Sequence, residues 1–520
     1  MEKEMSEGGI PVAGRCTTST CCLTLPLKLE KWQEDRLAKR FELARQIYNT
    51  LVHAELKKLH RLERSAEYRE VQAKLKELRE ANAAKGKEWQ AWCAKRNKLL
   101  KEAGFTEYSF KTDMKAYYKH FNENIGSNVA DHGLAPQVWK AFSDYFFGKG
   151  KSIHYKRFGE IRSLRGYSSA GKSGGKEIIF HETYIKWQKL ILPLKLSPKN
   201  DYEQEMLSHR VKYVRLLRKP GKRRDRWYAQ LVLEGIPAIK RNKIDGSPVH
   251  PVGEGTVGID IGPRTIAYSA ANEVRLMELA DQVQDIEREK CRIQRKMDRS
   301  RRAMNPENYN EDGTIKRGKK LTRNKSKRYL RLQRQLAYIQ NRQAETRKRQ
   351  HTALANHLIA LGNRFYVEDM DWPALTHRAK QTEISEKTGR YKRKRRFGKS
   401  IAHKAPATLI TILTQKCNSL GLPGVVKVST SVRASQYNHQ SDTYQKKPLN
   451  QRWNDMPDGE RIQRDLYSAF LLQHITPDGK GFDRAALCRD YDRFVELHHQ
   501  AITELQALPN TIASMGIVRR

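Results

Sequence analysis

The decapeptide TVGIDIGPRT, Thr256 to Thr265, restricts the fold of this chain more than any other stretch. Val257, Ile259 and Ile261 alternate at period two and share one face of a strand, leaving Gly258, Asp260 and Gly262 on the other. A carboxylate set into an apolar strand is costly unless something cationic meets it. Its same-face neighbours are glycines, so a metal ion or a phosphate backbone has room to approach. Taken alone, the decapeptide is read more simply as a strand ending in a turn, with Asp260 hydrogen-bonded to loop amides. The rest of the chain has to decide.

Charge decides the class of partner. Lysine and arginine number 100 against 58 aspartates and glutamates, a net charge of +42 spread along all 520 residues. Such an excess repels itself in isolation, so a polyanion is expected in the working particle, and nucleic acid is the natural one. A ribosomal or histone-like protein shares the charge but is usually shorter and does not embed acids in apolar strands. A membrane surface fits less well, because the sequence holds no amphipathic anchor and no apolar run of spanning length. The opening MEKEMSEGGIPVAG lacks the basic-then-apolar order of a signal peptide, which reads as cytoplasmic. Seven scattered cysteines with no C-x-x-C pair argue against both a disulfide framework and cysteine-ligated zinc.

Length and texture divide the chain into several domains. After an extended piece within 1–28, residues 29–145 read as helical, with Leu37, Phe41, Ala44, Tyr48 and Leu51 forming one apolar stripe. From 146 to 253 the texture turns to glycine-punctuated β segments. Within it RVKYVRLLRKPGKRRDRWYAQLVLEG is a hairpin turning near Pro220-Gly221, and its basic and aromatic residues suit nucleic acid: Arg215, Arg218, Lys222, Arg223, Arg224 and Trp227. GYSSAGKS, Gly166 to Ser173, matches the P-loop pattern, but strand-like EIIF follows it where a helix is needed, so the match is accidental.

Two long basic helices occupy 281–360. Ile286, Ile293 and Met297 on the first and Leu332, Leu336 and Ile339 on the second are expected to seal a helical hairpin. Arg295, Arg299, Arg328 and Arg331 on the outer faces then await phosphates. KTGRYKRKRRFGK, 387–399, carries eight basic residues and no acid, Lys392, Arg393, Arg395 and Arg396 among them.

Two further acids sit where acids are unexpected. Glu368 lies in the short apolar strand of NRFYVEDMDW, and Asp465 falls on the inward stripe of a helix read from ERIQRDLYSAFLL, with Ile462, Leu466 and Ala469. Asp260, Glu368 and Asp465, brought together from two strands and a helix, suit divalent magnesium. Two such ions about 3.5–4 Å apart are able to activate water and stabilise the leaving oxygen in phosphodiester cleavage.

VGIDIG, the basic helical hairpin, FYVEDM and RDLYSAF, in that order, resemble the three RuvC motifs of TnpB and of the compact type V CRISPR effectors, RNA-guided nucleases. The resemblance runs from about 140 to 475 and includes AFSDYFFGKGKSIHYKRFGEIRSL. It implies a multidomain α+β protein: an RNase H-like (RuvC) α/β nuclease domain, and a wedge β-barrel with an inserted α-helical recognition domain. The implied boundaries are 1–28 with the first barrel strand, 29–145 recognition helices, 146–253 wedge barrel, 254–425 nuclease, 426–460 an insert, and 461–520 the third motif with C-terminal helices. Asp260, Glu368 and Asp465 become the catalytic, magnesium-binding acids, the glycines beside Asp260 clear room for the ion and the scissile strand, and the partners are guide RNA and double- and single-stranded target DNA.

The insert departs from the family, which commonly has a four-cysteine zinc ribbon there. Aligning Ser435-Gln436 and Asp465 puts Asn438, Ser441, Asp455 and Asp458 at the cysteine positions, so no zinc is expected. A metal-free remnant is favoured over a site built from His439 and the two aspartates. Two other functions stand beside the endonuclease: a guided DNA-binding protein that has lost cleavage, disfavoured because all three acids are present, and a DNA-only transposase or integrase, which does not need the basic, aromatic-bearing first half.

Overall fold

The computed structural model describes residues 19–81, 86–167, 177–316, 318, 321–377, 381–382, 384–386, 389, 391, 397–448, 450–509 and 512–517. Lys392, Arg393, Arg395 and Arg396, and all of the P-loop-like octapeptide beyond Tyr167, lie outside them. The chain divides into two compact units, Met1–Ala238 and Ile239–Arg520, a boundary earlier than the 253/254 step implied by the resemblance.

The first unit begins with β1 (Thr20–Pro26), whose alternate residues Cys21, Leu23 and Leu25 are buried. Helices α1 (Lys31–Arg64), α2 (Ala66–Glu80), α3 (Lys87–Glu102), α4 (Glu107–Tyr118) and α5 (Ala135–Phe146) follow. A capping box opens α1: the Glu30 N–H donates to Gln33 Oε1 at 2.8 Å, satisfying an end-of-helix group. All five residues of the expected stripe, Leu37 to Leu51, are buried. Strands β2 (Ser163–Tyr167), β3 (Ile178–His181), β4 (Tyr184–Trp187) and β5 (Leu190–Pro193), helix α6 (Asp201–Leu207), and strands β6 (Val211–Lys219) and β7 (Arg226–Glu234) complete the unit. They form a sheet ordered β1-β7-β6-β2 and a meander β3-β4-β5. The expected hairpin is β6–β7, paired from Val211–Leu233 to Lys219–Arg226. Phe41 of α1 meets Trp227 of β7 edge-on at 5.1 Å, locking helix to sheet.

The second unit is built on one five-stranded sheet, ordered β10-β9-β8-β11-β12: β8 (Thr256–Ile261), β9 (Thr265–Ser269), β10 (Val274–Glu278), β11 (Arg364–Glu368) and β12 (Gly424–Val428). The first three pair antiparallel through short turns, whereas β11 runs parallel to both β8 and β12. Parallel pairing requires crossovers. One is the pair α7 (Glu287–Met304) and α8 (Lys327–Leu361); the other holds α9 (Trp372–Thr376), α10 (Gly398–Lys404) and α11 (Pro406–Leu420). Val257, Ile259, Ile261, Phe365 and Val367 share one core with Leu358 of α8 and Leu409 and Leu413 of α11.

The opposite face of the sheet packs on α12 (Arg464–Gln473) and α13 (Arg484–Ala507). Between β12 and α12 the insert makes two small hairpins, β13 (Tyr437–Asn438) with β14 (Thr443–Tyr444) and β15 (Trp453–Asp455) with β16 (Arg461–Gln463). The helix expected from ERIQRDLYSAFLL therefore starts only at Arg464: Ile462 is a strand residue, because its neighbours pair with Trp453–Asp455 before the helix begins.

Candidate active site

Register decides which side chains meet. Ile259 of β8 lies opposite Val367 of β11, both in the core beneath α8 and α11. The next residue on each parallel strand, Asp260 and Glu368, therefore emerges beside its neighbour on the other face, the face that α12 covers. Asp465 sits in the first turn of α12, where the helix N-terminus favours a negative charge. All three acids keep partial exposure.

The charges of Asp465 and Glu368 reach Asp260. The carboxyl of Asp260 is pushed well above the usual carboxylate range, first by burial, then by the charges of Asp465 and Glu368, against the opposing pull of Arg464 and Arg452. Burial also raises Glu368. The arginines themselves were not foreseen. Arg452 Nη1 and Arg464 Nε each stand 3.6 Å from Asp465 Oδ1. Arg464 is visible in the sequence only as the neighbour of Asp465, and Arg452 arrives through the β15–β16 hairpin, so no periodicity points to it.

Among the described residues no three of histidine, cysteine, aspartate or glutamate are grouped closely enough to hold an ion as they stand. The expected convergence is thus one of electrostatic reach and not of coordination distance. Two guanidiniums engage Asp465 as the structure stands. The donor set itself, three carboxylates with no sulfur or imidazole, is the chemistry a hard divalent cation takes.

One expectation is corrected outright. Gly258 does not clear room for an ion or a nucleic-acid strand: a Cβ there would lie 2.0 Å from the Ala469 carbonyl oxygen and 2.3 Å from the Gln473 nitrogen. The missing side chain admits the backbone of α12. Gly262 faces only Thr265, whose Oγ1 would be 3.2 Å from its Cβ.

The expected nucleic-acid contacts differ in their surroundings, with Lys222 and Arg223 exposed in the β6–β7 turn. Trp227 is 6% exposed and belongs to the core, because it alternates with Ala229, Leu231 and Leu233 on the buried face of β7 and meets Phe41 of α1. Arg218 pairs with Asp225 at 2.5 Å, Arg224 with Glu34 at 3.3 Å, and Arg215 donates to Gln230 Oε1 at 2.9 Å. Arg295, Arg299, Arg328 and Arg331 are exposed on α7 and α8. The seam between these helices closes only at Ile293 and Leu332; Ile286, Met297, Leu336 and Ile339 are half-buried. Met297 and Leu336 instead line a groove of about 950 Å³ together with Arg295, Arg299, Arg301 and Tyr329.

In the insert, Asn438 Oδ1 accepts from the backbone nitrogens of Gln440 and Ser441 at 3.0 and 3.4 Å, and Asp455 lies 3.7 Å from Arg461. His439 is buried, with Nδ1 2.7 Å from the Tyr467 hydroxyl and its ring packed against Tyr491.

No family model and no curated protein matches the sequence. Among solved structures the chain is similar to the Cas12f1–sgRNA–target DNA complex, at 12% identity and a TM-score of 0.39, covering 89% of this chain and 99% of that one. It is also similar to a CRISPR–Cas12f ternary complex, at 12% identity and a TM-score of 0.22, covering 89% and 100%. No helix among the described residues is long and apolar enough to cross a membrane.

Proposed function

We propose that this chain is an RNA-guided DNA endonuclease of the TnpB and compact type V kind, with one RuvC-like active site and a wedge and recognition region in its first unit. The observation that carries the reading is the arrival of Asp260, Glu368 and Asp465 from β8, β11 and α12 on one face of the sheet, close enough that the last two raise the carboxyl of the first. A mixed sheet flanked by helices on both faces supports the nuclease-lobe part, and the exposed arginines of α7 and α8 support a polyanionic partner. Pairing between guide RNA and target supplies sequence specificity, and the protein reads a short flanking DNA motif and heteroduplex shape.

Asp260, Glu368 and Asp465 would hold magnesium, which when bound supplies Lewis-acid charge and an activated water for phosphodiester hydrolysis. The chain's own residues prepare that site. The strands fix two of the acids at adjacent register positions, and the first turn of α12 presents the third. Arg452 and Arg464 offset the negative charge of Asp465 and offer guanidinium donors to a phosphate at the same place.

The test is to sequence the RNA that copurifies with the full chain, then present a plasmid carrying a matching target with Mg2+. Cleavage by the wild type, lost in Asp260→Ala while target binding persists, is the expected result. The absence of any discrete small RNA would overturn the guided reading, and retained cleavage would remove Asp260 from the active site.

A further inference from the structure

Helix α13 and the residues after it lie outside every motif that carries the nuclease reading, yet they reach the start of α12. The link is Gln463, whose side chain and backbone are buried completely. Its Oε1 accepts from the Leu466 nitrogen at 2.9 Å and so caps α12. Its Nε2 donates to the Met515 carbonyl at 3.2 Å and to Asp465 Oδ2 at 3.4 Å. Its backbone nitrogen donates to His498 Nε2 of α13 at 3.0 Å.

The imidazole is committed by that last contact. Because Nε2 accepts, the ring proton sits on Nδ1, and Nδ1 is buried with no partner among the described residues. A buried N–H left unmet is a cost that packing alone does not require. Trp453 extends the same attachment: its Nε1 donates to the Gly516 carbonyl at 2.8 Å, and its ring meets His498 edge-on at 6.1 Å. The hairpin that brings Arg452 and the helix turn that brings Asp465 are thus both tied to the C-terminal segment.

We infer that His498 is a positioning residue for Asp465, acting through Gln463, and that α13 together with residues 512–516 is a working part of the acid site. The inference rests on the reading of Asp465 as a site acid. Three full-length variants test it: His498→Phe fills the ring volume without an acceptor, His498→Gln offers an amide oxygen near the place of Nε2, and Asp465→Ala removes the acid. Amide hydrogen exchange at Gln463 to Leu466 and Mn2+ affinity are measured for each.

His498→Phe should speed exchange in that turn and weaken Mn2+ binding, each about five- to tenfold, the scale of one lost hydrogen bond. Exchange in the first unit should stay unchanged. His498→Gln should restore both readouts to near the wild-type values. Unchanged exchange in His498→Phe, or equal behaviour of the Phe and Gln variants, overturns the inference while Asp465-dependent Mn2+ binding keeps the acid site. Mn2+ binding that survives Asp465→Ala overturns both.

Discussion

The backbone of Gly258 lies so close to that of Ala469 that a Cβ on the glycine would stand 2.0 Å from the alanine's carbonyl oxygen. The strand carrying Asp260 and the helix carrying Asp465 therefore touch main chain to main chain, and the spacing of two acids is set by a side chain that is absent.

Gly258→Ala should accordingly displace α12. A stability loss of about 3 kcal/mol is expected for an overpacked contact of this kind, with loss of cleavage. Gly262→Ala, whose new methyl meets only Thr265, its Oγ1 at 3.2 Å and its carbonyl oxygen at 3.6 Å, should cost far less. Thermal unfolding of the two variants decides; equal melting temperatures would mean that α12 does not depend on this approach.

Asp260→Asn should abolish cutting and also stabilise the metal-free protein. The folded state raises the carboxyl above its ordinary range, so ionisation near neutrality works against folding. The gain is absent at low pH, where the acid is protonated folded or unfolded, and grows as pH rises. Denaturation in chelator at pH 4 and pH 8 measures it, and an unchanged or lower stability at pH 8 contradicts the crowded-carboxylate picture.

Acid should loosen the second unit through His439. Burial, with help from Arg484 and His474 and against the opposing charge of Asp458, holds this imidazole down to about 4. Below about 6.5 the unfolded chain binds a proton that the folded chain refuses, so stability falls as pH falls. Between pH 7.5 and 5 the loss from this residue is about 2 kcal/mol. His439→Gln should flatten that part of the pH profile, read from the unfolding midpoint; a slope as steep as the wild type's would assign the effect elsewhere.

Affinity for RNA should fall steeply with salt, and Arg295→Ala with Arg299→Ala should lower the slope of log affinity against log salt by roughly 1 each. Neither side chain has a hydrogen-bond or ion-pair partner among the described residues, so both are available to phosphate. Filter-binding titrations from about 50 to 300 mM salt supply the measurement. Parallel slopes for variant and wild type would place the phosphates on other residues.

Much of the site was legible because local pattern and burial are linked. Period two in VGIDIG and FYVED put Asp260 and Glu368 each opposite an apolar face, and both strands form as read. Trp227 misled for the complementary reason. An aromatic among arginines looks the same in sequence whether its ring faces solvent or a helix, and here α1 supplies Phe41 to cover it. The start of α12 was misplaced because Ile462 fits a helical stripe and a strand equally well, and only pairing with β15 separates the two.

The sequence by itself determined most of the strands and helices, the +42 charge from which a polyanionic partner is expected, and the residue types of the candidate acid site, since these follow from periodicity, charge and composition along one dimension. Tertiary structure alone decided that Gly258 serves α12, that Arg452 and Arg464 face Asp465, and that His498 reaches Gln463 from 35 positions away. Those relationships depend on which surfaces pack together. A contact between residues distant in the chain leaves no spacing to read.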